Sequence, residues 1–309
     1  MVPANLYICG SSAALPSKHN STTAQVLTVG GIPHLIDAGE SVQERLREAS
    51  VRFQKIPAVF ISHLHGDHVL GLPGLIGTMN LLGRTSPLKI IGPVGTKELI
   101  DTIHRCTGTF LRFPLQIEEI SGQRGELIKV HESDALLVNA FQVHHRISTF
   151  GYRFDLKPGK RRIRKDAIET FKLKVQEIRQ LIAGRDVRRE DGTLLSPNNC
   201  CEPMADAASY VYAADTRPCD AVAQAAKQAT LLYHEATFME RDRNLAVKTQ
   251  HSTAYEAGQI AAQAQVDRLI LGHFSTRYPD PLALAKEATQ AFEGPVDLAL
   301  RGCRFDLQG

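Results

Sequence analysis

The stretch that most constrains this chain is a cluster of three histidines and one aspartate at positions 63–68. An apolar run at 58–61 precedes the cluster, and a longer apolar run with helical character follows it at 69–82. This pattern predicts a buried strand, a tight turn and a helix, so several polar side chains project into one small volume. Neutral imidazoles and carboxylates gathered in this way suit zinc or a similar divalent ion.

The order of residues within the cluster suggests how two ions could be bound. His63 and His65 alternate along one strand-like edge and could bind the same ion. Asp67 and His68 lie beyond Gly66 and could turn toward a second ion. A polar loop with hydrogen-bonded histidines is the alternative, but the dense His-x-His-x-Asp-His spacing favours a metal site.

Length and composition are those of an ordinary soluble protein. The chain has 309 residues, enough for one large domain or two smaller ones. Its six cysteines are scattered, which predicts free thiols in a reducing cytoplasm. No stretch approaches the roughly 18 consecutive apolar residues of a membrane span. We therefore expect a cytoplasmic protein that does not contact a membrane.

Short strand and helix patterns alternate along most of the chain and predict an α/β sandwich. Within this alternation, segments 115–120, 126–130 and 135–143 read as a meander of three consecutive strands. Three more strands are predicted at 210–213, 231–233 and 269–271.

A basic segment interrupts the alternation. Between Asp155 and Glu190 the chain has twelve Lys or Arg residues and six Asp or Glu residues, a local net charge of +6 in a chain whose net charge is +3. The densest run is Lys160-Arg161-Arg162-Ile163-Arg164-Lys165. A solvated surface without a partner is the usual interpretation of such a run, but in this chain, which also carries the predicted metal site, we favour a contact with nucleic acid.

The same segment has the pattern of an inserted structural unit. Apolar residues at helical spacing run from Ile168 to Ile182, Gly184 ends the pattern, and Asp191-Gly192 predicts a hairpin turn. We interpret 155–205 as an arm inserted into a single domain that spans 1–309.

Further candidate ligands follow other predicted strands. His144-His145 follows the strand that ends near 143, Asp215 follows 210–213, and His273 follows 269–271. Each of these positions alone is weak evidence for a metal site. Together they supply the ligands that a two-metal site needs, including a carboxylate able to bridge the ions. Asp37 is open to two interpretations, as a partner of a metal-binding histidine or as a helix N-cap.

Several motifs resemble those of one family. The His63–His68 cluster resembles the signature of the metallo-β-lactamase superfamily, and five further stretches resemble ribonuclease Z, the tRNA 3′-processing endonuclease. These stretches are Phe150-Gly151-Tyr152-Arg153, Ala214-Asp215-Thr216-Arg217, His234-Glu235-Ala236-Thr237-Phe238, His251-Ser252-Thr253 and His273-Phe274-Ser275-Thr276-Arg277-Tyr278. The resemblance runs in order along nearly the whole chain and implies an αββα sandwich with a hydrolytic metal site on one edge.

The resemblance also implies a role for each candidate residue. One zinc would be held by His63, His65 and His145, the second by Asp67, His68 and His273, and Asp215 would bridge the two. The register to Phe150-Gly151-Tyr152-Arg153 favours His145 over His144 as the ligand.

Three residues would act in catalysis. Asp67 would orient a metal-activated hydroxide and act as a base. His251, held by Glu235, would stabilise charge on the scissile phosphate or protonate the leaving oxygen. Glu235 has an alternative role as a cap of the neighbouring helix. Thr253 and Glu256 form a capping-box pattern, which predicts that His251 lies just before a helix.

The arm resembles the tRNA-binding arm of the family. This implies that Lys160, Arg161, Arg162, Arg164 and Lys165 contact precursor tRNA, and that the protein is a homodimer in which an arm of one subunit grips the tRNA body. The expected reaction is removal of 3′ trailers from precursor tRNA. The alternatives are a hydrolase of small phosphodiesters or sulfate esters, a non-catalytic RNA-binding protein and an iron-dependent oxidoreductase on the same fold.

Overall fold

The computed structural model describes residues 3–17, 20–123, 125–159, 161–202 and 207–307. The strands of these residues are, in chain order, β1 Ala4–Gly10, β2 Ala24–Val29, β3 Ile32–Ile36, β4 Ala58–Phe60, β5 Leu88–Pro93, β6 Leu115–Ile120, β7 Ile128–Glu132, β8 Leu136–Gln142, β9 Phe150–Leu156, β10 Val187–Arg188, β11 Leu194–Leu195, β12 Ser209–Ala213, β13 Leu231–Glu235, β14 Leu269–Gly272, β15 Val296–Leu298 and β16 Arg304–Asp306.

The helices lie between these strands. They are α1 Val42–Glu48, α2 Gly66–Val69, α3 Leu72–Leu81, α4 Thr96–Thr107, α5 Lys165–Phe171, α6 Val175–Ile182, α7 Pro197–Cys200, α8 Asp220–Ala225, α9 Arg243–Thr249, α10 Ala254–Ala264 and α11 Leu282–Ala288, with single 3₁₀ turns at Phe53–Lys55 and Glu240–Asp242. Within the described ranges, none of these helices is long and apolar enough to span a membrane.

The chain divides into two compact units. The larger comprises 3–155 and 208–309, and the smaller comprises 156–207. In the described part of the larger unit, one sheet has the strand order β16-β1-β2-β3-β4-β5-β6 and the other has the order β15-β14-β13-β12-β9-β8-β7. Strands β3 to β6 are parallel to one another, as are β12 to β15, so the carboxyl ends of each group lie together at one edge.

The two sheets pack face to face through buried aromatic side chains. Phe60 of β4 contacts Phe154 of β9 with 5.2 Å between ring centroids, and the Tyr152 hydroxyl donates to the Ile61 carbonyl at 2.7 Å. Helices α1, α3 and α4 cover the outer face of one sheet, and α8, α10 and α11 cover that of the other. The predicted αββα sandwich is therefore confirmed.

The predicted meander of three strands at 115–143 is wrong in its connectivity. Strand β6 pairs in parallel with β5 in the first sheet, whereas β7 and β8 form an antiparallel pair in the second sheet. The alternation of apolar and polar residues within each segment predicts that the segment is a strand, but it does not indicate which sheet that strand joins. Here helix α4 lies between β5 and β6, and such a crossover favours a parallel pair.

The smaller unit contains the arm from residue 156 onward and has its own hydrophobic core. The buried side chains of this core are Ala167, Leu173, Leu181, Val187, Leu195, Cys200 and Cys201. The single helix predicted at 168–182 is divided into α5 and α6 because Lys172 adopts a left-handed conformation with φ 47°. The predicted ending at Gly184 and the hairpin around Asp191-Gly192, between β10 and β11, are confirmed.

An ion pair connects helix α6 to this hairpin. The Glu177 carboxylate accepts two bonds from the Arg189 guanidinium, at 2.7 and 2.8 Å, and one from the Lys174 backbone N–H at 2.7 Å. The Arg189 bonds, followed by the Lys174 bond, lower the pKa of Glu177 to about 2. The arm is thus an ordered unit held by apolar burial and by a bidentate ion pair.

Candidate metal centre

The candidate ligands lie where strands of the larger unit end. The His63–His68 cluster follows β4, Asp215 lies two residues beyond β12, and His273 follows β14 directly. His145 lies in the connection between β8 and β9. Because parallel strands end at a common edge, residues far apart in sequence are brought together there.

The first group of ligand atoms surrounds one small volume. His63 Nε2 lies 2.9 Å from His65 Nδ1 and 3.4 Å from Asp215 Oδ2. His145 Nε2 lies 3.4 Å from His65 Nδ1 and 3.7 Å from Asp215 Oδ2. These four residues form a candidate metal-binding group.

The second group shares the same aspartate. His68 Nε2 lies 3.5 Å from Asp67 Oδ2, 3.3 Å from Asp215 Oδ1 and 3.5 Å from His273 Nε2. His273 Nε2 lies 3.5 Å from Asp67 Oδ2 and 3.0 Å from Asp215 Oδ1. The two oxygens of Asp215 therefore face different groups, which is the arrangement of a bridging carboxylate.

The donor set fits divalent metal ions. Ligand atoms around a tetrahedral ion with bonds of about 2.05 Å lie roughly 3.3 Å apart, close to the separations in both groups. Asp215 Oδ1 is buried close to His273 Nε2 and His68 Nε2, but it accepts no well-oriented hydrogen bond from a described residue, so this anionic oxygen is available to a metal ion. Burial lowers the pKa of His63 to about 4, which keeps this imidazole neutral and able to donate its lone pair at neutral pH.

A buried carboxylate beneath the site orients two of the histidines. Asp37 Oδ2 accepts a bond from His68 Nδ1 at 2.7 Å and one from the Ser62 hydroxyl at 2.8 Å. Because the Ser62 hydrogen is directed to Asp37, its oxygen accepts from His63 Nδ1 at 3.0 Å. Both rings therefore present Nε2 to the site. The structure places Asp37 against His68, and Ser41 rather than Asp37 precedes helix α1.

The neighbouring histidines 144 and 145 have different environments. His145 belongs to the first group, and its Nδ1 bonds the Gln250 carbonyl at 3.0 Å, which leaves Nε2 for the site. The His144 backbone N–H donates to Thr216 Oγ1 at 3.2 Å, and its side chain is not part of any metal-binding group among the described residues. The geometry agrees with the choice of His145.

A second carboxylate holds His251 beside the two groups. His251 Nδ1 lies 2.8 Å from Glu235 Oε1, and the buried Glu235 also accepts from the Thr216 backbone N–H at 2.7 Å and the Thr237 hydroxyl at 2.6 Å. Burial lowers the pKa of His251, but the Glu235 charge outweighs burial and raises the pKa to about 9. The Glu235 carboxylate thus favours the protonated form of the His251 imidazole.

The predicted capping box is confirmed just beyond His251. The Thr253 hydroxyl accepts from the Glu256 backbone N–H at 3.2 Å, and Glu256 accepts from the Thr253 backbone N–H at 3.0 Å. Helix α10 thus begins directly after this stretch, and His251 precedes it.

Three interactions at the site have no counterpart in the sequence-based predictions. The Ala14 backbone N–H donates to Asp67 Oδ2 at 2.9 Å from a left-handed conformation with φ 58°. The Thr237 hydroxyl lies 2.9 Å from His273 Nδ1, and the Tyr212 hydroxyl donates to Asp37 Oδ2 at 2.5 Å. Of the three, only Thr237 lies in a stretch with a recognisable pattern, because it is part of the His-Glu-Ala-Thr motif.

Both groups open onto a cleft large enough for part of a polymeric substrate. The cleft has a volume of about 510 Å³, and its walls include His65, Asp67, Asp215, His251 and His273. Phe238 contributes an apolar wall close to His251. The arrangement can hold positive charge around an anion and supply a protonated imidazole next to it.

The basic residues of the arm belong to the smaller unit. Arg162 and Lys165 are exposed, and Arg161 and Arg164 are partly exposed. Arg164 pairs with Asp166 at 3.4 Å, whereas Arg161, Arg162 and Lys165 form no ion pair with any residue that the structure describes. Lys160, the fifth predicted contact residue, lies outside the described residues.

Comparison with known proteins gives one partial and several nearly full-length matches. A family model described as Anti-Pycsar protein Apyc1 matches residues 4–102. Ribonuclease Z of Porphyromonas gingivalis is 37% identical over 307 residues, which cover 99% of this chain and 100% of that protein. Ribonuclease Z of Bacillus subtilis is 35% identical over 297 residues, covering 94% of this chain and 95% of that protein.

Solved structures show the same fold. The crystal structure of human tRNase Z, short form (ELAC1), matches with a TM-score of 0.71 at 24% identity and covers 99% of this chain and 100% of that chain. The metallo-β-lactamase fold protein YhfI of Bacillus subtilis matches with a TM-score of 0.70 at 20% identity, covering 98% and 99%. The fold is the metallo-β-lactamase fold, and the clustered histidines and aspartates suit the binding of metal ions.

The nearly full-length relatives confirm what the sequence motifs suggested. The alignments that give identities of 35–37% cover 94–99% of this chain. The chain therefore belongs to the ribonuclease Z family.

Proposed function

We propose that this chain removes 3′ trailers from precursor tRNA with two zinc ions per chain, by hydrolysis of one phosphodiester on the 3′ side of the discriminator position. Membership of the ribonuclease Z family makes it a metal-dependent endoribonuclease. The observation that carries the finer proposal is the sharing of Asp215 between two groups of ligand atoms. This arrangement is suited to a two-metal phosphodiesterase site.

The proposed ligands are the seven residues of the two groups. His63, His65, His145 and Asp215 would hold one ion, and Asp67, His68, His273 and Asp215 the other. Zinc suits a tetrahedral site made chiefly of imidazoles, whereas manganese favours sites richer in oxygen. When bound, such ions lower the pKa of a coordinated water to about 7 and neutralise charge on the phosphate.

The remaining groups would handle protons and orientation. Asp67 is held by the Ala14 N–H, and its carboxylate would orient and deprotonate the attacking water. His251 has Nδ1 engaged by Glu235, which leaves Nε2 to protonate the ribose oxygen that leaves when the phosphorus–oxygen bond breaks. The bond to Glu235 raises the pKa of His251 and so favours the protonated imidazole that this role requires. Glu235 would thus support catalysis through His251 rather than cap a helix.

The arm would bind the body of the tRNA. Arg161, Arg162, Arg164 and Lys165, together with Lys160, offer cationic groups to backbone phosphates, which gives salt-dependent binding with little reading of sequence. Recognition would then depend on the shape of the folded RNA. A cytoplasmic location belongs to the same proposal, and the six free cysteines support it.

A homodimer is a further part of the proposal, and the surface of α3 supports it. No charged residue occurs from Val69 to Gly83. Leu70, just before α3, is 52% exposed, and Leu81, the last residue of α3, is 87% exposed. An apolar helix surface of this kind is typical of an interface, and a second copy would bury it symmetrically.

Replacing Leu81 with aspartate is expected to separate the dimer, because a charge would be buried at the interface. Sedimentation should give twice the chain mass of 34.0 kDa for the original protein and the single mass for the variant. Leu282→Asp is the matched control, because Leu282 is also an exposed leucine, at 58%, but lies on α11. A monomeric original protein, or equal dissociation of both variants, would contradict the interface.

The experiment that tests the function is cleavage of a 3′-extended precursor tRNA by the purified protein, with metal content determined on the same sample. We expect one cut after the discriminator and about two zinc ions per chain. A metal-loaded protein that ignores the precursor but hydrolyses bis(p-nitrophenyl) phosphate would instead favour a hydrolase of small phosphodiesters.

A further inference from the structure

Tyr212 is connected to the candidate metal centre through Asp37, which lies at the end of a strand in the other sheet. Its side chain projects from β12 in one sheet, and its hydroxyl donates to Asp37 Oδ2, at the end of β3 in the other sheet, over 2.5 Å. Both residues are fully buried. The Tyr212 ring also stacks on Tyr233, with 5.1 Å between centroids and 26° between planes, so the hydroxyl is held by a rigid support.

Asp37 accepts four hydrogen bonds, which fills the acceptor capacity of a carboxylate. Oδ1 accepts from the Ser62 backbone N–H at 2.7 Å, and Oδ2 accepts from the Ser62 hydroxyl, from His68 Nδ1 and from Tyr212. A buried carboxylate without such donors would be costly. Of the four donors, Ser62 and His68 belong to the same turn as the metal cluster. Tyr212 is the one that connects Asp37 to the second sheet.

The geometry points to Tyr212 as a positioning residue for the metal centre. We propose that its hydroxyl fixes Oδ2 of Asp37, so that Asp37 holds the Nδ1–H of His68 and the ring presents Nε2 to the ion. Without this bond, Oδ2 is free to move away from His68, and the ring loses part of its fixed orientation. This inference rests on the proposed role of His68 as a ligand of the second ion.

The same strand contains a matched control. Tyr210 lies two positions earlier, so it projects from the same face of β12, and it is equally buried. Its hydroxyl donates to Gln25 Oε1 instead of to Asp37, and its ring stacks on Phe154. Tyr210→Phe and Tyr212→Phe thus each remove one buried hydroxyl, but only the second removes a bond to Asp37.

The test is a titration of the metal-free protein with zinc in competition with a chromophoric chelator. Direct partners of metal ligands, such as Asp37, contribute about 10-fold to 100-fold in metal affinity, and Tyr212 acts on His68 only through Asp37, so its effect belongs at the lower end. We expect Tyr212→Phe to weaken binding of one zinc by about 10-fold and Tyr210→Phe to leave both affinities unchanged. Thermal unfolding of the metal-free variants measures the structural contribution of each hydroxyl separately.

The outcomes separate this inference from the proposed function. His68→Ala should abolish binding of one zinc, and a variant that still binds two would contradict the proposed ligands. If His68→Ala loses an ion but Tyr212→Phe binds zinc as the original protein does, the role of Tyr212 is refuted while the ligand set stands. Equal weakening by Tyr210→Phe and Tyr212→Phe would also refute it, because a general effect on packing would then explain both.

Discussion

Asp215→Ala is expected to lower hydrolysis of both precursor tRNA and bis(p-nitrophenyl) phosphate by more than about 100-fold. Loss of an outer partner of a metal ligand already costs about 10-fold to 100-fold, and Asp215 faces both groups of ligand atoms. Its removal would take one ligand from each ion. The metal content of the variant should fall together with its activity.

The control for this variant is Asp220→Ala, five residues further along the chain. Asp220 is an exposed carboxylate in the first turn of α8 and takes no part in the metal centre. It should retain two zinc ions and nearly full activity on both substrates. Full activity of Asp215→Ala would refute the two-metal proposal, whereas loss of activity with intact metal content would give Asp215 a role other than bridging.

The sequence was most informative where the site is local. Three histidines and an aspartate within 63–68 predict a metal site from spacing alone, and the turn after β4 brings them together as expected. Candidate ligands outside this cluster were identified because they follow predicted strands. Parallel strands of a sheet end at a common edge, which brings such residues together. Asp215, His145 and His273 therefore lie where this reasoning puts them.

Interactions between the two sheets could not be predicted in the same way. Tyr212 and Asp37 are 175 positions apart, and their hydrogen bond depends on how two sheets pack face to face. Tyr212 reads in the sequence only as one residue of a buried strand. The same limit explains the error at β6, where the pattern of one strand says nothing about which sheet it joins.

Replacing 157–207 with a short Gly-Ser turn is expected to lower cleavage of precursor tRNA by roughly 100-fold while sparing hydrolysis of bis(p-nitrophenyl) phosphate. The excision is feasible because Asp155 of β9 pairs directly with Ser209 of β12, so a hairpin-length linker joins the two strands. The arm has its own core, and its removal takes none of the metal-binding residues. The measurement is kcat/KM on both substrates at several salt concentrations.

The salt dependence identifies what the arm contributes. If basic side chains of the arm bind phosphates, log kcat/KM for the precursor should fall steeply with log salt in the original protein, and its slope should decrease by about one unit for each phosphate that is no longer neutralised. Arg162→Gln with Lys165→Gln provides a milder version that keeps the arm's core, because both side chains are exposed and form no ion pair with described residues. Equal loss on both substrates after excision would mean that the arm supports the fold, and undiminished cleavage of the precursor would mean that tRNA is held elsewhere.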